Sequence, residues 1–304
     1  MYDQVAQNKR RSAYLIAAFV VFVALVVAAF DLLFFGGGVL GLVLALPLAG
    51  GMAFAAYWKS DAIALRASRA RPADVESYAR LHNLVEGLCI ASGLPKPRLY
   101  VIDDPAPNEF ATGRDPQHAA VAVTTGLLER MNRIELEAVL AHELAHVKNY
   151  DILVSTLAVT MVGIVALLAD IGVRMLWWGG GRTHHNGNDQ GASPAALLAI
   201  PAMLLLILSP FIGRAMQAAV GRRRETLADF TGVEMTRYPP GMIAALEKLR
   251  DDDTVVHAHS RATAHLWIEE PLPTRRDQGR MSRANRLFAT HPPLEDRIAA
   301  LREL

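Results

Sequence analysis

The chain alternates between long apolar blocks and polar stretches with helical or strand periodicity. Ala13 to Phe30 is an unbroken apolar run, and Leu32 to Trp58 is a second, interrupted by glycines and one proline but by no charge. Each meets the roughly 20 residues needed to cross a hydrocarbon core about 30 Å thick, and only Asp31 separates them, so the pair predicts a tight membrane hairpin. A cleaved signal has a shorter apolar region and no second span behind it, so a removable leader is excluded. Ile152 to Trp178 forms a third block, ending in paired tryptophans suited to a membrane interface. Within it Asp170 and Arg174 stand at i, i+4, a spacing that favours a local pair over a functional charge. Ala195 to Val220 is a fourth block, carrying two prolines.

Four spans place both termini on one side. Lys9 to Arg11 precede the first span and Arg222 to Arg224 follow the last, whereas the Gly179–Ser193 loop carries a single arginine. The positive-inside rule therefore makes the termini and the Lys59–Asp151 segment cytoplasmic. The triple arginine reads mainly as a topology anchor contacting phospholipid headgroups. Four parts result: an N-terminal transmembrane hairpin (1–58), a cytoplasmic part (59–151), a second hairpin (152–220) and a second cytoplasmic part (221–304).

Between the hairpins, "PADVESYARLHNLVEGLCIASG" has apolar residues at helical spacing and a glycine stop. "KPRLYVIDD" and "HAAVAVTTGLLE" predict short strands, the second passing into a helical turn, and "PAPNEFATGRDPQ" between them reads as turns. A helix follows over about Arg133–Tyr150. The fold class expected is mainly α with a small β-sheet: four transmembrane helices plus a cytoplasmic domain. The proline-bounded, basic stretch 271–293 predicts a mobile loop.

Composition narrows the chemistry. The chain has 304 residues, is 52% hydrophobic and carries a formal net charge of +1, which gives no reason to expect nucleic acid. Cys89 is the sole cysteine, so there is no intramolecular disulfide and no cysteine-rich zinc site; a metal must rest on imidazole and carboxylate.

Such ligands stand in "AVLAHELAHVKNYD". His142 and His146 lie one turn apart on one helix face, about 5 to 6 Å between Cβ atoms, so both imidazoles reach a single ion. Three protein ligands leave a fourth zinc position for water, and Glu143 beside the first histidine stands near that water as general base rather than ligand. Asp151, near the helix end, is expected to project away from the histidine face. A further carboxylate pair lies in "GRRRETLADF", where Glu225 and Asp229 are again i, i+4. Pattern alone leaves Glu225 open between a metal ligand and a surface carboxylate; Asp229 suits an outer position, accepting a hydrogen bond from a ligand imidazole. His82, His118, His257, His259 and His265 lack an i, i+4 partner, and His184 and His185 fall across the membrane from this site.

Together "AVLAHELAHVKNYD", "RRRETLADF", "NEFATG" and "HPPLEDRI" resemble the HtpX group of membrane zinc metallopeptidases, relatives of the CAAX prenyl endopeptidases. The resemblance covers nearly the whole chain and implies that the cytoplasmic domain is a zincin-like metalloprotease domain. It implies that Glu225 is the third ligand of one zinc ion per chain and that the site faces the cytoplasm of a bacterial inner membrane. It further implies endoproteolytic quality control and stress response, acting on membrane or misfolded proteins, commonly alongside an ATP-dependent membrane protease. Family members often have alanine or another small residue where Glu109 stands. His291 in "THPPLEDRI" is, by the same likeness, a candidate partner for the reaction's oxyanion; on its own it reads as a turn histidine held by Pro292 and Pro293.

For substrate, the strand around Val121 and Val123 is a candidate edge to which an extended peptide adds, with Asn108 in the preceding loop as a clamp on its main chain. The competing function is a membrane scaffold or holdase with a structural metal. Structural zinc normally fills all four positions with protein, which favours the enzyme.

Overall fold

The computed structural model describes residues 2–34, 39–157, 170, 223–252, 254 and 293–304. Helix α1 (Tyr2–Phe34) and helix α2 (Val39–Ala67, with Pro47 inside) pack along Phe19, Phe22, Val23 and Val26 of α1 against Ala49 and Ala53 of α2. Leu153 and Leu157 join that cluster from residues 151–157, which are helical. Among the described residues, α1 is the helix long and apolar enough to cross a membrane, over Ala6–Ala28. Most of the third apolar block and all of the fourth lie outside the described residues, as do His184, His185 and the 271–292 stretch.

The polar segments build a mostly helical body around one small mixed sheet. Strands β1 (Arg71–Pro72), β2 (Arg98–Ile102), β3 (Glu109–Thr112) and β4 (Ala120–Thr124) lie in the order β1-β2-β4-β3. The β2–β4 pair is parallel and the outer two pairs are antiparallel. Alternation along the strands gives the sheet two faces. Leu99, Val101, Ala111, Val121 and Val123 enter the main core, whereas Ile102, Phe110, Ala120 and Ala122 pack on Ala64 and Leu65 at the end of α2.

The main core is covered by helices α3 (Ala79–Ser92) and α5 (Arg133–Lys148), with the short α4 (Thr125–Arg130) between β4 and α5. Helix α3 stops where expected, at Gly93 with φ +71, a left-handed C-cap that a glycine adopts without steric cost. Helices α6 (Arg223–Thr236), α7 (Pro239–Arg250) and α8 (Leu294–Leu301) complete the body. Val233, Met242, Leu246, Ile298 and Leu301 hold these three against Ala138 of α5.

Two local readings change. "PAPNEFATG" contains a strand, β3, rather than turns alone. The β4 strand is interior, hydrogen-bonded to β2 on one side and β3 on the other, so Val121 and Val123 are not an edge. Both are buried and their backbone groups face neighbouring strands, which leaves no room for an added peptide there. Among the described residues the outer strands of the sheet are β1 and β3.

Candidate metal centre

Helix α5 opens on a reciprocal cap. The Asn132 side chain accepts from the Ile134 and Glu135 amides, and Glu135 Oε2 accepts from the Asn132 amide at 2.8 Å, which satisfies donors that a helix start leaves open. Beyond that cap the helix is buried on nearly every side, so its two histidines sit inside the protein, not on a solvated face. His142 and His146 point their Nε2 atoms at one another, 3.2 Å apart.

Helix α6 crosses close to this pair because Gly232 has no side chain. A Cβ there would lie 3.0 Å from the His142 amide nitrogen and 3.2 Å from His142 Cα. Glu225, Asp229 and Gly232 share one face of α6 at i, i+4 and i+7, the face turned to α5. Glu225 brings Oε2 to 3.5 Å from His142 Nε2 and Oε1 to 3.6 Å from His146 Nε2.

These separations can be tested against an ion. Zinc binds histidine nitrogen at about 2.0–2.1 Å in tetrahedral array, which sets ligand atoms about 3.3 Å apart. The two Nε2 atoms are 3.2 Å apart and lie 3.5 and 3.6 Å from one and the other oxygen of Glu225, close to that size, so His142, His146 and Glu225 fit one metal ion. Glu143 is a second carboxylate nearby: a ligand atom of His142, Glu143 and His146 lie within 4.8 Å of one another. The two acids differ in what they face. Glu225 spans both Nε2 atoms, whereas the Glu143 carboxylate accepts a hydrogen bond from the Ala111 amide on β3.

Each imidazole has its own carboxylate behind it. His142 Nδ1 is 2.9 Å from Asp229 Oδ1, and Asp229 is in turn gripped by Arg297 of α8, through Nε at 2.8 Å and Nη2 at 2.6 Å. His146 Nδ1 is 3.2 Å from Asp151 Oδ2. The expectation that Asp151 projects away is therefore overturned. Helix α5 ends at Lys148 and Tyr150 has φ +60; that left-handed residue turns the chain back and swings Asp151 under the imidazole. Arg224 also departs from its reading as a headgroup anchor. It is buried, with Nη1 3.6 Å from Asp151 Oδ1.

Charge in this enclosed space shifts the titrations. Burial disfavours imidazolium at His142, yet the Asp229 carboxylate outweighs it and raises the pKa to about 9. His146 is raised too, burial opposing and Glu225 and Asp151 prevailing. Glu143 is pushed up by burial and Glu225, against the pull of the two imidazoles. For Asp229 the guanidinium of Arg297 overcomes burial and holds the carboxyl low. Glu109 is pushed well above the usual carboxylate range by burial and then by Glu143; both its oxygens are buried without a hydrogen-bond partner among the described residues.

The structure thus brings together His142, Glu143, His146, Glu225 and Asp229, with β3 alongside. Asn108 is buried at the start of β3, its Oδ1 accepting from the Glu109 amide at 3.0 Å. His291 lies outside the described residues. Asp151, Arg297 and the β3 edge escaped the sequence reading. The signal for the last was present, since Ala120–Val123 is apolar at every position, the mark of a strand covered on both faces.

The whole chain is similar to known proteins. The model of peptidase family M48 matches residues 76–304. The "Protease HtpX homolog" of Streptococcus uberis is 42% identical over 304 residues, covering 100% of both chains. That of Thermoanaerobacter pseudethanolicus is 40% identical, covering 100% of this chain and 98% of the relative. Among solved structures, Ste24p of S. mikatae superposes with a TM-score of 0.49 at 18% identity, over 99% of this chain and 67% of that one. With a helix that sets two histidines and a glutamate against a second helix's carboxylate, and relatives matched end to end, the chain belongs to peptidase family M48 and is a metalloprotease, a hydrolase of peptide bonds.

Proposed function

We propose that the protein is a zinc endopeptidase of the bacterial inner membrane, multi-pass, with its site on the cytoplasmic side, where it cleaves membrane or misfolded proteins as part of stress-responsive quality control. His142, His146 and Glu225 hold one zinc ion in this reading. The observation that carries it is the spacing of the two Nε2 atoms, 3.2 Å, and of each from one oxygen of the Glu225 carboxylate, 3.5 and 3.6 Å. Support for the membrane comes from the apolar blocks and from Lys9, Arg10, Arg11, Arg222 and Arg223 beside them. An ATP-dependent membrane protease as co-worker rests on the family resemblance alone.

When bound, zinc supplies a Lewis acid and lowers the pKa of a coordinated water toward neutrality. The remaining work belongs to the chain. Glu143 takes the water's proton and returns it to the leaving amine. Burial raises its pKa above the ordinary carboxylate value, which makes it the stronger proton acceptor in that transfer. Asp229 and Asp151 hold the imidazoles by Nδ1, which leaves each Nε2 lone pair for the metal. The substrate lies alongside the outer strand β3, next to the Glu143 carboxylate, which holds the Ala111 amide in its absence. Asn108, at the head of that strand, keeps its proposed place beside the substrate main chain, and His291 its proposed place near the oxyanion.

The test is Glu143→Gln in the full-length protein purified in detergent. Zinc should remain at one per chain, read by elemental analysis, while casein cleavage disappears. Undiminished cleavage would refute the assignment of the base, and a wild-type chain that binds no zinc would refute the metal site. A scaffold with structural metal predicts wild-type protein that holds zinc and cleaves nothing.

A further inference from the structure

The polar end of α1 reaches the metal centre through one side chain. Asn8 is buried at 4% exposure, and its Nδ2 donates to the Asn149 carbonyl at 2.8 Å and to Asp151 Oδ1 at 2.7 Å. The other oxygen of the same carboxylate, Oδ2, lies 3.2 Å from His146 Nδ1. Asn8, Asp151 and His146 therefore form a line that ends on Nε2, the atom turned toward His142 and Glu225. Two neighbours fasten the same contact: the Lys9 ammonium sits 4.5 Å from the centre of the Tyr150 ring, and Arg224 Nη1 is 3.6 Å from Asp151 Oδ1.

Asp151 needs such fastening. It follows Tyr150, whose left-handed φ breaks the helix after Lys148, so the α5 ladder does not fix its approach to His146. A carboxylate held at one oxygen can swivel about its own bond; held at both, it presents a fixed acceptor. The donor at the second oxygen comes from α1, the helix whose Ala6–Ala28 stretch is long and apolar enough to cross a membrane.

We propose that Asn8 is a positioning residue for the metal ligand His146, so that docking of the N-terminal helix sets the affinity of the metal site. The proposal rests on the reading of His146 as a ligand. Asn8 touches neither substrate nor metal; it acts through Asp151. Its consequence is that a chain whose first helix is displaced binds metal more weakly, although all three ligands are intact.

The experiment uses the full chain in detergent, with zinc affinity measured by chelator competition and the cobalt(II)-loaded protein followed by its visible absorption. Asn8→Ala should weaken zinc about tenfold, the low end for loss of an outer partner, and shift the cobalt bands. Asp151→Asn should weaken zinc as well, and adding Asn8→Ala to it should cost little more, because residues in series do not add. Asn8→Asp, which sets a second carboxylate against Asp151, should weaken zinc further than Asn8→Ala and serves if the alanine variant fails to fold. Wild-type affinity and an unchanged cobalt spectrum in Asn8→Ala, or fully additive losses in the double variant, would overturn the proposal while leaving the metallopeptidase reading in place. A wild-type chain without zinc would instead overturn that reading.

Discussion

Replacing Arg297 with leucine removes a guanidinium whose side chain has no solvent exposure and which holds both oxygens of Asp229, itself 1% exposed. Two opposite charges at about 4 Å and an effective dielectric near 20 attract by about 4 kcal/mol, and stripping one partner from a buried pair costs about 3–5 kcal/mol because the other charge is left uncompensated. His142 remains beside Asp229 at 2.9 Å, which places the expected loss toward the lower end, about 3 kcal/mol. Against a total stability of about 5–15 kcal/mol that is large, and it corresponds to a fall of about 6–12 °C in melting temperature. The assay is thermal unfolding of detergent-solubilised protein stripped of metal with a chelator, so that no bound ion masks the change. Coupling Arg297→Leu to Asp229→Asn removes the stranded charge and should recover much of the loss. An Arg297→Leu protein melting within about 2 °C of wild type, equivalent to under about 1 kcal/mol, or a double variant no better than the single, would refute the reasoning.

Other outcomes follow from the same centre. In the metal-free protein the folded-state pKa of His142 stands near 9 against an ordinary 6.5, so folding favours its protonated form. The resulting stability, about 3 kcal/mol, is fully present below pH 6.5 and lost as pH rises through 9; a melting temperature that is flat or rising over that window contradicts it. Gly232→Ala would place a Cβ 3.0 Å from the His142 nitrogen and push α6 back with Glu225 and Asp229. Zinc affinity should fall about tenfold even though alanine is the better helix former by about 1 kcal/mol; unchanged affinity by chelator competition counts against the close crossing. Glu109→Met fills the same space with apolar atoms in place of two oxygens unpartnered among the described residues and should raise stability by about 1–3 kcal/mol, with a lowered melting temperature as the contrary result.

What the sequence revealed was whatever repeats with a period. The phase of His142 and His146 on one helix follows from 3.6 residues per turn, and the Gly93 stop and the β4-to-α4 passage follow from local chemistry. The carboxylate of Glu225 was legible through resemblance, since spacing left it open. Asp151 was misread because helical phase was carried through Tyr150, where one left-handed residue ends it. Strand order is a long-range property, and only the unrelieved apolarity of Ala120–Val123 hinted that β4 lies inside. Arg297 is a single cation on a short amphipathic helix, and nothing near it in the chain announces that it meets Asp229. Asn8 is hidden in the same way, 143 positions from Asp151.

Arg297 belongs to α8, after every ligand candidate in chain order. Synthesis runs from the amino end, so a nascent polypeptide owns both imidazoles and the α6 acids while Asp229 still lacks its guanidinium. The order of synthesis thus leaves the His142–Asp229 pair without its buried cation until α8 has been made and has docked.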